Sequence, residues 1–183
     1  MCVLIFKKAG VKMPNDMVLD SCRRANPHGF GFCTPTKYFR SLYYSEFKRE
    51  LDMVSEKEPC IIHFRLATEG SIKTSNCHPF KSGEGSDRVF FAHNGCLPFH
   101  PDSDITDSQY AFENILMPQI EKHGLRSKQL KDAVDRIIGG SKFAFMQGNK
   151  VSLFGDFTEY DGCYFSNMRF MYYMKTYHHR LAM

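Results

Sequence analysis

Continuous apolar runs along the chain predict a set of buried strands. The first, "CVLIF", directly follows Met1 and is too short to form a helix by itself. "PCIIHF" and "RVFFAH" have the same character and predict inner strands near the middle of the chain, and "GFGFCTPTKYFRSLYY" predicts one or two strands with a turn near Pro35. Four short segments near the C-terminus, "KFAFMQ", "KVSLFG", "CYFSN" and "FMYYM", predict further strands.

Amphipathic segments with helical spacing lie between these strands. They cover residues 14–24, 45–58, 108–123 and 126–140. Asn15 is a suitable N-cap for the first segment, and Ser45 opens the second. Strands at both ends of the chain with paired helices between them predict a layered α+β fold whose strands are mainly antiparallel.

The length and composition favour one domain that spans residues 1–183, since a chain of this size can bury a core without disulfide or metal staples. No apolar run approaches the roughly 18 to 20 residues of a membrane span, and the N-terminus does not fit a signal peptide. We therefore expect a cytoplasmic protein without membrane contact. Seven cysteines without a CxxC pair favour reduced thiols over a disulfide framework or a zinc ribbon.

The charge balance is mild, with 24 basic and 20 acidic residues and a formal net charge of +4. This excess does not by itself indicate a nucleic-acid partner. The C-terminal tail "MRFMYYMKTYHHR" is the local exception, because basic and aromatic side chains in alternation can bind a nucleic-acid strand. Aromatic residues at this density more often pack on a core, so we do not expect nucleic acid to be the partner.

Three polar groups stand at the ends of apolar runs: Cys2, Arg65, and Asn94 with Gly95. Each has a structural interpretation, as a core thiol, as a partner of a structural carboxylate, and as a type I′ hairpin turn. Together they resemble the catalytic groups of an N-terminal nucleophile hydrolase. If Met1 is removed, one residue carries both a thiol and a free α-amine that can accept the thiol proton near neutral pH.

The same motifs resemble a known family. "MC" at the start, "HFRLAT" with Gly70, Asn76 with "HPF", "AHNG" and "TDS" stand in the order found in the class II glutamine amidotransferase domain. "RRANPHGFGF", "GSKFAFM" and "DGCYFSN" also resemble segments of its small stand-alone members. The resemblance implies a four-layer αββα sandwich of the N-terminal nucleophile hydrolase type. Val3 and Glu69 depart from the residues usual at their positions.

The resemblance also implies roles for single residues in catalysis. Cys2 corresponds to the nucleophile and its α-amine to the general base, while Asn94 and Gly95 correspond to the oxyanion hole. Ammonia would leave glutamine through a γ-glutamyl thioester that water then hydrolyses. Because the resemblance covers only an amidotransferase domain, the chain would act as a simple amidase, act on a related γ-glutamyl amide, or pass ammonia to a separate acceptor enzyme.

Three further residues correspond to the substrate site. Arg65 matches the arginine that holds the α-carboxylate of glutamine, Thr68 assists it, and Asp107 matches the acid that pairs with the α-ammonium. Neither a cofactor nor a metal is implied, because the histidines and cysteines lack a compact ligand pattern. The alternative function is a non-catalytic protein of the same fold that binds nucleic acid or a partner through its basic aromatic tail.

Overall fold

A computed structural model describes residues 1–68, 70–101 and 105–174, and these ranges contain ten β-strands. The strands are β1 (Val3–Lys7), β2 (Phe30–Cys33), β3 (Tyr38–Ser41), β4 (Cys60–Phe64), β5 (Phe80–Ser82), β6 (Val89–Asn94), β7 (Lys142–Gln147), β8 (Lys150–Phe154), β9 (Thr158–Tyr160) and β10 (Cys163–Phe165). They form a six-stranded sheet in the order β3-β2-β4-β1-β10-β9 and a four-stranded sheet in the order β5-β6-β7-β8. All neighbouring pairs are antiparallel.

Five α-helices lie wholly within the described ranges: α1 (Asp16–Ala25), α2 (Tyr44–Asp52), α3 (Asp107–Ala111), α4 (Met117–His123) and α5 (Lys128–Ile137). A π-helical turn, Phe112–Leu116, joins α3 to α4, and two short 3₁₀ turns cover Thr74–Asn76 and Gly85–Asp87. The side chains of Asn15, Thr106 and Ser127 accept hydrogen bonds from backbone N–H groups at the starts of α1, α3 and α5. Helix α2 begins one residue before Ser45 and has no side-chain cap.

Strand β1 shows how the layers are built. Its alternating side chains point to opposite faces of the six-stranded sheet, as the two-residue period of a strand requires. Val3 and Ile5 pack with the buried faces of α1 and α2, whereas Leu4 and Phe6 pack against the second sheet. Both faces of this sheet are thus covered by apolar groups, which is why "CVLIF" carries no polar alternation.

The second sheet is covered in the same way. Phe90 and Ala92 of β6 face the first sheet, while Phe91 faces α3, α4 and α5. Helix α5 contributes Leu130 and Val134 to that outer core. The order of layers is therefore helices, sheet, sheet, helices, which confirms the αββα sandwich with antiparallel sheets.

Some segments differ from the prediction. Strands β5 and β9 were not among the predicted strands. Residues 171–174 of "FMYYM" are helical rather than extended. Residues 175–183, which carry the rest of the basic aromatic tail, and Glu69 lie outside the described residues.

All seven cysteines lie in the described ranges and are free thiols, as the sequence predicts. Of the helices that the structure describes, none combines the length and the apolar character needed to cross a membrane.

Candidate active site

The chemically distinctive residues converge on one pocket at the ends of β1, β4 and β6. Strand pairing explains their approach, because Val3 of β1 stands opposite Phe64 of β4, so that Cys2 and Arg65 emerge at the same edge. The pocket is lined by Cys2, Arg65, Leu66, Ala67, Thr68, Asn76, His78, His93, Gly95, Thr106, Asp107 and Ser108. Five of the six predicted site residues thus share one pocket, and Asn94 lies beside it, almost fully buried.

The thiol of Cys2 contacts the backbone that follows β4. Its Sγ lies 3.6 Å from the carbonyl oxygen of Leu66, and the Leu66 N–H donates to Sγ at 3.4 Å. Burial raises the pKa of the Cys2 thiol, while the Leu66 N–H, the terminal ammonium and Arg65 act in the opposite direction. The thiol is therefore protonated near neutral pH, and a nearby base is needed to make it a nucleophile.

The backbone that follows Cys2 is held in place, whereas Met1 stands before the strand. The Asn167 side-chain amide donates to the carbonyl oxygen of Cys2 at 2.8 Å, and β1 begins at the next residue, Val3. Met1 lies outside the strand and is 45% exposed. Removal of Met1 would consequently leave both the strand pairing and the anchoring of the Cys2 carbonyl in place.

The Asn94 amide is held by Ser166, which directly follows β10. Its Nδ2 lies 2.9 Å from Ser166 Oγ, which also accepts from the Leu4 N–H at 2.9 Å. Asn94 Oδ1 is buried and has no hydrogen-bond partner among the described residues. The second N–H of Nδ2 remains for an acceptor outside these contacts.

Gly95 does not form the hairpin turn that "NG" permits. Strand β6 ends at Asn94 and pairs antiparallel with β7, in which Lys142 stands opposite Asn94. Gly95 adopts φ +146°, and an added Cβ would lie 2.9 Å from the Cα of Ser141. Only glycine fits this close approach, and Gly95 lines the pocket.

The Asp107 carboxylate is fixed at the start of α3. Its Oδ1 accepts from the backbone N–H of Ser108 at 2.6 Å and from the Ser108 hydroxyl at 2.9 Å, and Oδ2 accepts from the Leu97 N–H at 2.8 Å. A carboxylate offers about four acceptor directions, so capacity remains for a cation in the pocket. His93 Nδ1 lies 2.7 Å from Ser108 Oγ. The hydrogen-bond network therefore runs from Asp107 through Ser108 to the buried His93.

Arg65 is almost fully buried and its guanidinium contacts the loop that follows β4. Nη1 donates to the carbonyl oxygen of Ser71 at 2.9 Å, and Nη2 lies 3.4 Å from that of Gly70. Asn76 Nδ2 donates to the same Ser71 carbonyl at 3.1 Å. The two side chains fix this loop at the rim, beside the exposed Thr68.

Three histidines, His63, His78 and His93, form a buried cluster behind the pocket. The ring centroids of His63 and His78 are 4.4 Å apart, and those of His78 and His93 are 6.2 Å apart. Burial lowers the pKa of His63 to about 3 and of His93 to about 4, and it lowers the pKa of His78 well below its usual range. Within the described residues no group of these side chains and nearby acids or thiols has the geometry of a metal site.

Sequence reasoning assigned no role to several of the groups that complete the site. Ser166 and Asn167 belong to "DGCYFSN", which was noted only as a closing strand, and Ser108 belongs to "TDS". These motifs are the sequence signal that could have pointed to the three residues. The contact itself depends on the pairing of β1 with β10, which brings Ser166 beside Leu4 and Asn94.

Comparisons of sequence and structure relate the chain to known proteins. Residues 37–155 match the family model described as glutamine amidotransferases class-II. None of the curated proteins compared with the chain matches its sequence.

Two solved structures share the fold at low identity. Glutamine phosphoribosylpyrophosphate amidotransferase from B. subtilis superposes with a TM-score of 0.61 at 17% identity, covering 96% of this chain and 44% of that one. A structure described as the allosteric regulatory enzyme of purine biosynthesis gives 0.60 at 18% identity, covering 90% and 41%. The chain thus spans less than half the length of either protein.

A third structure, described as a predicted glutamine amidotransferase from Pseudomonas aeruginosa, gives a TM-score of 0.49 at 20% identity, covering 89% of this chain and 78% of that one. The family model matches well over half of the chain. The chain therefore belongs to the class II glutamine amidotransferase family.

Proposed function

We propose that the protein releases ammonia from glutamine, or from a related γ-glutamyl amide, with Cys2 as the N-terminal nucleophile after removal of Met1. The observation that carries this proposal is the convergence of Cys2, Arg65, Gly95 and Asp107 on one pocket. Each of these groups suits one part of the substrate or of its transition state. The proposal extends to residues 1–183 acting as a single amidotransferase domain.

The α-amine of Cys2 is the general base of the proposed reaction. Removal of Met1 frees this amine, whose reference pKa is about 7.7 to 8.0. It accepts the thiol proton, and Sγ attacks the side-chain amide carbon of the substrate. The protonated amine then gives its proton to the leaving ammonia, and water hydrolyses the γ-glutamyl thioester to restore the thiol.

The oxyanion of the tetrahedral intermediate rests on Asn94 Nδ2 and on the Gly95 backbone N–H. The contact between Asn94 and Ser166 supports this role, since it holds the amide while leaving it a second N–H. Loss of one oxyanion donor typically lowers turnover by about 10²-fold or more, which is the expected effect of Asn94→Ala.

Arg65, Thr68 and Asp107 would orient the substrate by its α-amino acid group. The guanidinium suits the α-carboxylate and Thr68 assists at the rim, while the Asp107 carboxylate suits the α-ammonium. Ammonia then goes to solvent or to a separate acceptor enzyme. We place the protein in the cytoplasm, with neither membrane nor nucleic acid as a partner.

The proposal is tested by measuring glutamate and ammonia released from glutamine. The unsubstituted protein should release both in equal amounts, and Cys2→Ala should release neither. Cys96 is an exposed thiol that does not line the pocket, so Cys96→Ala is the matched control and should retain full turnover. Undiminished release by Cys2→Ala would overturn the assignment of the nucleophile.

A further inference from the structure

His28 stands outside the pocket but contacts the backbone that borders it. Its Nδ1 accepts a hydrogen bond from the Ala67 N–H at 3.0 Å, across 39 positions of sequence. Ala67 lines the pocket, whereas His28 does not. The His28 side chain is half-buried and has no part in the reaction proposed above.

Few contacts hold the segment to which Ala67 belongs. The chain leaves β4 after Phe64 and has no regular structure directly beyond it. Among the described residues, the Leu66 N–H donates to Cys2 Sγ at 3.4 Å and the Ala67 N–H donates to His28 Nδ1. The Leu66 carbonyl oxygen also lies 3.6 Å from Sγ. The position of the Leu66 backbone against the thiol therefore depends on the contact that its neighbour makes with His28.

The backbone of His28 is itself held in place. Its N–H donates to the carbonyl oxygen of Arg65 at 3.0 Å, and the Arg65 N–H donates to the carbonyl oxygen of Gly29 at 2.8 Å. Gly29 adopts φ +146°, and an added Cβ would overlap Cys77 Sγ, so only glycine fits there. The His28 ring thus reaches the Ala67 N–H from a fixed point at the start of β2.

The chemistry of the contact links His28 to the reactivity of the thiol. A backbone N–H can only donate, so His28 Nδ1 carries no hydrogen and the ring is in its Nε2–H form. Burial raises the pKa of the Cys2 thiol, and the hydrogen bond from the Leu66 N–H opposes that rise. A shift of the Leu66 backbone away from Sγ would consequently make the reactive thiolate harder to form.

We propose that His28 is a positioning residue for the nucleophile: its Nδ1 holds the Ala67 N–H and thereby keeps the Leu66 N–H directed at the Cys2 sulfur. The inference rests on the proposed function, in which Cys2 attacks the substrate amide. His28 acts through the backbone and exchanges no proton in the reaction. It contributes to the reactivity of Cys2 rather than to the binding of glutamine.

Asparagine and glutamine at position 28 separate this role from a general structural one. The amide oxygen of asparagine stands as many bonds from the backbone as Nδ1 of histidine, whereas that of glutamine stands as many bonds away as Nε2. His28→Asn therefore keeps an acceptor for the Ala67 N–H, and His28→Gln displaces it. His28→Ala removes the acceptor, and His123→Ala, at an exposed histidine, is the matched control.

The first measurement is glutamine hydrolysis by each protein. We expect His28→Ala to lower kcat by about threefold to tenfold, the effect of one lost hydrogen bond, with a smaller change in KM. His28→Asn should recover most of the loss, His28→Gln should resemble His28→Ala, and His123→Ala should retain full turnover. Equal kcat in His28→Ala and the unsubstituted protein would overturn the positioning role, as would equal recovery by His28→Asn and His28→Gln.

The second measurement is the labelling of Cys2 by iodoacetamide, which reacts with the thiolate and needs no substrate site. Mass spectrometry compares the Cys2 adduct with that on the exposed Cys96 in the same sample, so the ratio does not depend on the amount of protein. We expect this ratio to fall in His28→Ala and His28→Gln and to recover in His28→Asn. A ratio that His28→Ala leaves unchanged would overturn the proposal.

The two measurements keep this inference separate from the proposed function. If the proposed function fails, none of the proteins hydrolyses glutamine, while the labelling ratio still reports whether His28 positions the thiol. If His28→Ala fails to fold, the comparison of His28→Asn with His28→Gln carries the same test, because both keep a polar side chain at this position.

Discussion

Asn94 Nδ2 donates to Ser166 Oγ at 2.9 Å, across 72 positions of sequence. The same hydroxyl oxygen accepts from the Leu4 N–H, so Ser166 ties the proposed oxyanion donor to the strand that follows the nucleophile. The geometry of Asn94 relative to Cys2 therefore depends on Ser166, although Ser166 does not line the pocket.

We expect Ser166→Ala to lower kcat for glutamine hydrolysis by about tenfold, the effect of about one hydrogen bond. KM should change little, because an oxyanion donor acts mainly in the transition state. Ser166→Thr keeps the hydroxyl and should restore part of the loss, and Ser152→Ala on β8 is the control for a serine away from the site. Equal kcat in Ser166→Ala and the unsubstituted protein would contradict this role.

Asn167 gives a second prediction at the other side of the nucleophile. Its amide donates to the Cys2 carbonyl at 2.8 Å, so Asn167→Ala should loosen the N-terminal residue. We expect kcat to fall by about threefold to tenfold, with a smaller change in the unfolding free energy than a core substitution gives. Asn149→Ala, in the exposed turn before β8, should match the unsubstituted protein in the same assay.

Gly95→Ala tests the close approach of the backbone to Ser141. The positive φ and the position 2.9 Å from the Ser141 Cα make any side chain strained there. We expect loss of glutamine hydrolysis together with a lower midpoint in thermal unfolding. Gly140→Ala is the matched control, since its Cβ would meet nothing within 4 Å. Similar activity in the two variants would show that the Gly95 backbone is not constrained.

The buried histidines predict that stability falls on acidification. Burial lowers the pKa of His63 to about 3 and that of His93 to about 4, and it also lowers that of His78. Asp107 opposes the shift in His93, whereas Arg65 adds to that in His63. In the unfolded chain a histidine binds a proton below about pH 6.5. The buried neutral rings therefore contribute their full stability above that pH, and this stability is lost as pH falls toward their lowered pKa values in the folded protein.

Each of His63 and His93 then lowers the unfolding free energy by up to about 1.4 kcal/mol per pH unit below about pH 6.5. Urea unfolding at intervals between pH 7.5 and pH 4.5, values chosen to bracket about pH 6.5, measures the slope. His78→Phe should reduce it, and His123→Phe should not. An unfolding free energy that stays constant as pH falls from the ordinary histidine pKa toward the lowered pKa values of the folded protein would contradict neutral buried rings.

The strands, the helices and a layered fold could be predicted from local patterns, whereas the four-layer order and the pocket residues were expected from the resemblance to the class II glutamine amidotransferase domain. The run from Val3 to Phe6 is apolar on both faces since it lies between two cores, and residues such as Arg65 and Asp107 stand within motifs that mark their positions. Asn15 acts as the predicted cap because capping is decided within one turn of helix.

Contacts between distant segments could not be predicted in this way. Ser166 and Asn167 matter because β10 pairs with β1, and nothing local to them indicates the approach of Asn94 or Cys2. The "NG" pair favours a hairpin by propensity, yet the partner of β6 is β7, far along the chain. The histidine cluster likewise arises where three separate segments meet.

The central claim is that Cys2 becomes the first residue and reacts with the substrate amide. It is tested by treating the protein with a glutamine-mimicking alkylator and mapping the modified peptide by mass spectrometry, in protein that lacks Met1 and in protein that retains it. The account predicts an adduct on Cys2 only in chains that begin at Cys2, blocked by excess glutamine, with no adduct on Cys96. Equal labelling and equal glutamine hydrolysis with Met1 retained would contradict it.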